Sequence, residues 1–338
     1  MKIQSFDISK QVLIIAEIGN NHEGNFNLAK DMIKMAADSG ADAVKFQTFC
    51  ADRYVSQLDK KRYDQLKSYE LTYEQFELLS QTAIKNGLIF LSTPFDIESV
   101  DALEPYVPAY KISSGDNTFW PLIKHIAKKG KPVILSTGLT TMNELKNAVA
   151  IISENSPIKK SREKLALLHC ISAYPADLSD LNLLSIQYLK DNFDVLTGYS
   201  DHAMGIYSCL TAVGVGARII EKHFTYSKEG QTFKDHLLSA TPDEFKKMVT
   251  RIRDIEKMIG IYQKKPAKSE SPLFSAARRS IAARKNISKG EILDISHITW
   301  IRPGNGLKPG NEDLLIGRKL KNVVLCGAIF TEDDFEKK

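Results

Sequence analysis

VLIIAEIGNNHEGN, residues 12–25, decides between the two architectures open to this chain. An apolar run broken only by Glu17 reads as a buried strand, and the glycines and asparagines that follow read as a turn into NLAKDMIKMAADSG, residues 27–40, whose apolar spacing is helical. A strand-then-helix opening suits either an open doubly wound sheet or a closed (β/α)8 barrel. The open sheet of dinucleotide-binding proteins carries GxGxxG after its first strand, and GNNHEG lacks it. The barrel is the expected fold.

Seven further runs follow in order: AVKFQTF (43–49), LIFLSTPF (88–95), AYKISS (109–114), PVILSTG (132–138), LALLHCIS (165–172), VLTGYS (195–200) and RIIEKHF (218–224). Helical patterns such as 72–87 and 119–130 separate them, and Gly40, Gly87 and Gly130 stand where helices should end. Eight β-then-α units predict an α/β TIM barrel over residues 1–262. A polar, proline-containing connector is expected over 263–277. Short strand-like runs broken by glycine and proline turns then predict a small β-rich domain over 278–338.

Composition excludes several function classes. The net charge of +5 arises from 46 basic residues spread among 41 acidic ones, so no nucleic-acid surface is expected. Four cysteines occur without a CxxC pair, which argues against a zinc ribbon or a disulfide scaffold and for a reducing, cytoplasmic setting. The N-terminus has no apolar segment of signal-peptide type, and no apolar run reaches the length of a membrane span.

Barrel enzymes carry their chemistry at the C-terminal ends of the strands. Here those ends read Glu17; Lys45 and Gln47; Thr93; Lys111, Ser113 and Ser114; Ser136 and Thr137; His169 and Tyr174; Ser200 and His202; Glu221 and His223. Lys45 and Lys111 lie inside apolar runs, where an ammonium needs an anionic partner: Glu17 or Glu221, or a bound phosphate or carboxylate. SSG (113–115) and STG (136–138) offer hydroxyls and backbone N–H groups to such an anion. His202 and His223 end neighbouring strands and would converge on one divalent ion with open positions, with Asp201 and Glu221 as ligands or supporting groups. His169 reads equally as a third ligand or a packed core residue, while His22 falls in a loop and His125 on a surface helix. Glu17 is the best-placed carboxylate for proton transfer.

AEIGNNHEGN, ADAVKFQTF, FLSTPFD, YKISSGD, PVILSTG, LLHCISAYP, GYSDH, IIEKHF and RPGNG, in this order from about residue 10 onward, resemble the sialic acid synthase family, whose chains end in an antifreeze-like SAF domain of β-clip type. The resemblance implies condensation of phosphoenolpyruvate with an open-chain N-acetylated amino sugar such as N-acetylmannosamine, with C–O cleavage and release of phosphate. It implies that Lys45, Lys111, Ser114, Ser136 and Ser200 hold phosphoenolpyruvate, and that His202 and His223 bind Mn2+ or Mg2+. Glu17, Gln47, Tyr174, Asp235 and Arg302 would face the sugar. Arg302 would come from the other subunit of a homodimer with swapped SAF domains. The chain departs from the family pattern at Asp116, where glutamate is usual, at Ser172, at FKD (233–235) in place of GPD, and in a short 51–71 segment, all of which bear on the acceptor. Two rival readings are a metal-independent aldolase forming a Schiff base on Lys45 or Lys111, and a carbohydrate-binding protein.

Overall fold

The computed structural model describes residues 1–158, 161–231 and 233–336, so residues 337–338 of the expected C-terminal domain and 159–160 and 232 of the expected barrel lie outside the described residues. The chain divides into two compact units, Met1–Gly260 and Ile261–Lys338.

In the first unit the apolar runs form eight parallel strands among the described residues: β1 Leu13–Gly19, β2 Ala43–Thr48, β3 Ile89–Pro94, β4 Tyr110–Ile112, β5 Val133–Ser136, β6 Leu165–His169, β7 Leu196–Asp201 and β8 Ile219–His223. Their order in the sheet is β3-β2-β1-β8-β7-β6-β5-β4. The last strand pairs with the first, Ile219 opposite Leu13 and His223 opposite Glu17, which an open doubly wound sheet cannot do. β3 and β4 meet by side contact without a ladder, so the ring closes with one loose seam. The fold is the TIM-type barrel.

The connecting helices begin and end where the sequence provides caps. Asn25 caps the helix Phe26–Asp38 by accepting from Leu28 N, and Thr72 and Thr141 form capping boxes with Gln75 and Glu144. Gly40, Gly87 and Gly130 take φ of +83°, +76° and +68° just past the helix ends, a backbone state that other residues resist.

Strand residues alternate between two faces. The outward set, including Ile14, Ala16, Val44 and Phe46, packs under helix residues such as Met32, Ile33 and Leu79. The inward set of Leu13, Ile15, Ala43, Ile89, Leu91, Ile134, Ala166, Leu168 and Ile219 fills the lower barrel, together with Ile3 and Ile8 of the N-terminal segment, where Lys2–Ile3 pairs with Phe6–Asp7. Gly198 also faces inward: a Cβ there would stand 2.5 Å from Ile219 O and 2.6 Å from Leu168 Cδ2. Continuing up the same inward face, the residues become Glu17, Lys45, Thr93, Lys111, Ser136, Ser200 and Glu221.

The second unit has a short antiparallel pair, β9 Ser280–Ala283 with β10 Ile298–Ile301, over a core of Ile281, Leu293, Ile298, Leu315, Leu320, Phe330 and Phe335. Isolated bridges, such as Ile287 with Val324, supply further β pairing. The stretch 263–277, expected as a connector, includes the helix Leu273–Ala277, and Ser275 O accepts from Gly304 N within the same unit. Among the described residues no helix is long and apolar enough to cross a membrane.

Candidate active site

At the C-terminal end of the barrel the two lysines and two glutamates form one buried network. Lys45 Nζ lies 2.7 Å from Glu17 Oε2 and donates to Thr93 Oγ1 at 3.0 Å. Lys111 Nζ donates to Ser136 Oγ at 2.7 Å and lies 3.6 Å from Glu221 Oε1, which also accepts from Ser200 Oγ at 2.8 Å. Glu221 Oε2 lies 3.8 Å from Lys45, linking the two halves. All four side chains are almost fully buried, so each charge depends on the others and not on water. The carboxylate partners named as one sequence alternative are therefore present in the molecule.

These environments separate the two acids. Burial, opposed by Lys45 and reinforced by Glu221, pushes Glu17 up to about 7. Burial acts on Glu221 in the same sense, but Lys111, Lys45 and the Ser200 hydroxyl outweigh it and hold that carboxyl below its usual range. Burial also lowers Lys111, against the pull of Glu221 and with the repulsion of Lys45. Gln47 Nε2 donates to the other Glu17 oxygen at 3.1 Å, and Asn20 Nδ2 holds Gln47 Oε1 at 2.9 Å.

The imidazoles of His202 and His223 stand with ring centroids 5.5 Å apart, and the Tyr174 ring lies 4.1 Å from the first and 6.0 Å from the second. His202 Nδ1 lies 2.6 Å from Ile171 O, so Nδ1 carries the proton and Nε2 keeps the lone pair. His223 Nδ1 is buried without a hydrogen-bond partner among the described residues. Burial drives both rings towards the neutral form, His223 further because His202 and Lys45 add positive charge around it. Neutral imidazoles with uncommitted nitrogens are the state in which a divalent ion is bound. Among the described residues no group of three or more His, Cys, Asp or Glu is arranged around a common point, so an ion held here would rest on these two imidazoles alone, with its other positions open.

A cavity of about 480 Å³ opens over this network. Gln47, Ser114, Tyr174, His223 and Asp235 line it. Lys45, Lys111, Ser136, Ser200 and His202 do not line it: the lysines and serines sit deeper, in the charged layer beneath, and His202 packs behind the lining Tyr174. Asp235 opens the short helix Asp235–Leu238, and burial raises its carboxyl. Arg302 belongs to the second unit, where its Nε donates to Ala277 O at 2.8 Å.

At three positions the structure narrows what the sequence left open. His169 shares the outward parity of Leu165 and Leu167; its ring stacks on Tyr199 at 6.0 Å and Nε2 meets Leu181 O, which makes it a core residue and not a third ligand. Asp201 also points outward, to Lys222 at 2.7 Å, and is no ligand of the inner site. His22 lies in its loop as expected but is buried, with Nδ1 accepting from Gly24 N.

The sequence reading missed the outer wall. Tyr54, Phe95 and Phe233 form an aromatic side of the cavity, and Arg62 and Lys234 bring charge to it. Tyr54 and Phe95 approach to 4.5 Å between ring centroids. The departures at FKD (233–235) and in the 51–71 segment pointed to this region without singling out its rings. Ser172, singled out as a departure, donates to Ser114 Oγ at 2.8 Å on the opposite wall.

A closed barrel with ion-paired lysines, a near-neutral carboxyl and paired imidazoles gathered at its catalytic end is the framework of an enzyme. Residues 32–264 match the NeuB family and residues 278–336 match the SAF domain, and the chain belongs to the NeuB family. It is 42% identical to the N,N'-diacetyllegionaminic acid synthase of Campylobacter jejuni, over 91% of this chain and 96% of that one. It is 36% identical to a pseudaminic acid synthase of the same species, over 99% and 100%. A crystal structure of N-acetylneuraminic acid synthetase from Leptospira borgpetersenii superposes with a TM-score of 0.75 at 37% identity, covering 80% of this chain and 94% of that one. The protein is thus a synthase whose relatives make nonulosonic acids.

Proposed function

We propose that this synthase condenses phosphoenolpyruvate with the open-chain form of an N-acetylated amino sugar, releasing phosphate by C–O cleavage. The observation that carries the reading is the buried layer in which Lys45 and Lys111 lie beside Ser136, Ser200 and the imidazole pair, directly beneath a cavity lined by sugar-compatible polar groups. In this reading Lys45 and Lys111 exchange part of their contact with Glu17 and Glu221 for the phosphate and carboxylate of phosphoenolpyruvate, assisted by Ser114, Ser136 and Ser200. His202 and His223 hold Mn2+ or Mg2+, which when bound supplies Lewis acidity to the acceptor's aldehyde.

C3 of phosphoenolpyruvate attacks the aldehyde carbon, and the positive charge that develops at C2 is stabilised by the substrate's own anionic groups and by Glu221. Glu17, poised near pH 7, accepts a proton from the water that adds at C2 and passes it to the alkoxide left at the former aldehyde oxygen. The C2 hydroxyl then loses its proton to the leaving phosphate as the C–O bond breaks and the ketone forms, with Lys45 and Lys111 neutralising the phosphate. Gln47, Tyr174 and Asp235 orient the sugar, joined by Arg302 of a swapped SAF domain in a homodimer. The acceptor is N-acetylmannosamine or a 6-deoxy diacetamido sugar, and the reaction runs in the cytoplasm.

The test is incubation with phosphoenolpyruvate, Mn2+ and a panel of N-acetylated sugars, following phosphate release. With phosphoenolpyruvate labelled by 18O at the bridging oxygen, the label should leave in the phosphate; label retained in the sugar acid rules out C–O cleavage. The rival Schiff-base aldolase on Lys45 or Lys111 has its own test. Activity that survives EDTA, with borohydride trapping of substrate on either lysine, would establish it instead.

A further inference from the structure

Asp201 and Lys222 occupy outward positions, a face on which the barrel strands otherwise present, among the described residues, no Asp, Glu, Lys or Arg to the helices. Their side chains are 0% and 1% exposed and 2.7 Å apart. Replacing a buried ion pair by well-packed apolar groups often leaves a protein no less stable, so stability alone gives little account of this one. Its placement does. Asp201 lies between Ser200 and His202, and Lys222 lies between Glu221 and His223, so the pair is the outward back of the inward groups that form the site.

The β7–β8 ladder ends with Asp201 opposite Lys222. Beyond that point His202 has left the strand, and the two side chains take over the role of the ladder. Asp201 Oδ1 accepts from Ala203 N at 3.0 Å, and Lys222 Nζ donates to Ala203 O at 2.5 Å, so both backbone groups of the residue after His202 are held. Tyr199 O–H and Cys209 S–H, from the strand and from the covering helix Tyr207–Gly214, fix the Asp201 carboxylate in turn. His202 O accepts from Ala176 N, which ties the same turn to the segment that carries Tyr174.

We propose that the Asp201–Lys222 pair is a positioning device that sets the spacing of His202 and His223 so that both imidazoles reach one divalent ion. The inference rests on the two-histidine metal reading above. Neither residue touches substrate or metal. The pair works by fixing the backbone that follows His202 against the strand that carries His223, as the supporting groups of metal sites do. Loss of the device should weaken the metal more than the phosphoenolpyruvate site, because His202 lies past the end of the β7–β8 ladder and depends on the pair, whereas Ser200 and Glu221 are still held opposite each other by the ladder and Lys45 and Lys111 stand on other strands.

The test is Mn2+ titration of the full chain, with no substrate present, for wild type and for Asp201→Asn/Lys222→Met, which removes both charges at nearly constant volume. The double variant should bind Mn2+ roughly tenfold or more weakly, as loss of a supporting group does, while KM for phosphoenolpyruvate moves less than about threefold. Its melting temperature should stay within about 5 °C of wild type. Mn2+ affinity within twofold of wild type in the folded variant would overturn the inference and leave the metal reading intact. Failure of wild type to bind either Mn2+ or Mg2+ would remove both. Should the double variant not fold, Asp201→Asn/Lys222→Gln, which also leaves no unpaired buried charge, is read by the same titration and the same criterion.

Discussion

The lower and upper halves of the barrel interior are built on the same strands, two residues apart, and differ completely. Below, Leu13, Ile15, Leu91, Ile134, Leu168 and Ile219 interlock in a dry apolar plug. Above, the next inward residues are Glu17, Lys45, Thr93, Ser136, Ser200 and Glu221, equally buried but held by ion pairs and hydrogen bonds. The lower half stabilises the fold through area removed from water. The upper half bears a desolvation cost that only its internal pairing offsets, which is the arrangement expected where charge must later be redirected to a substrate.

Breaking the upper half should affect turnover first. Lys111→Met removes an ammonium that faces Ser136 and Glu221, and phosphate release should fall by about 10³-fold with the fold retained by circular dichroism, the scale of losing one preorganised charge contact. Retention of a tenth of the activity would place Lys111 outside the chemistry.

Glu17→Gln should cost about 10²-fold and, more tellingly, alter the pH profile. Because burial raises Glu17 to about 7, its carboxylate is present above that pH and is lost as pH falls through it, so the wild-type rate should drop on the acid side of about 7. The residual rate of the glutamine variant should be flat across that window. An unchanged acid limb in the variant would assign the proton to another group.

In the lower half the readouts reverse. Leu168→Ala should lower unfolding free energy by about 2–5 kcal/mol in urea titrations while kcat/KM at permissive temperature stays within about threefold. The smallest effect is expected outside the barrel wall, at His169. His169→Phe deletes the contact to Leu181 O and should cost about 1 kcal/mol with Mn2+ affinity unchanged. A loss of metal affinity there would return His169 to the site.

The order of the runs, their lengths and their polar ends carried the barrel, the small second domain and most of the charged layer. GNNHEG without a dinucleotide fingerprint, glycines at the helix ends and lysines inside AVKFQ and AYKIS are local statements, and each agrees with the global fold, as local preferences in natural sequences do. The aromatic wall was not legible in the same way, because Tyr54, Phe95 and Phe233 come from three separate connections between strands and helices that only the closed ring brings together.

The facing of individual residues was also out of reach. A parallel barrel strand is buried on both sides, so LALLHCIS and VLTGYSDH show no polar–apolar alternation to reveal which parity points inward. That His202 and His223 turn towards the cavity while His169 and Asp201 turn away follows from closure of the ring, where the inward face is whichever set the first-to-last pairing of β1 with β8 encloses. Composition and order specify the layers of the molecule; the handedness and closure of the sheet select which side chains share a site.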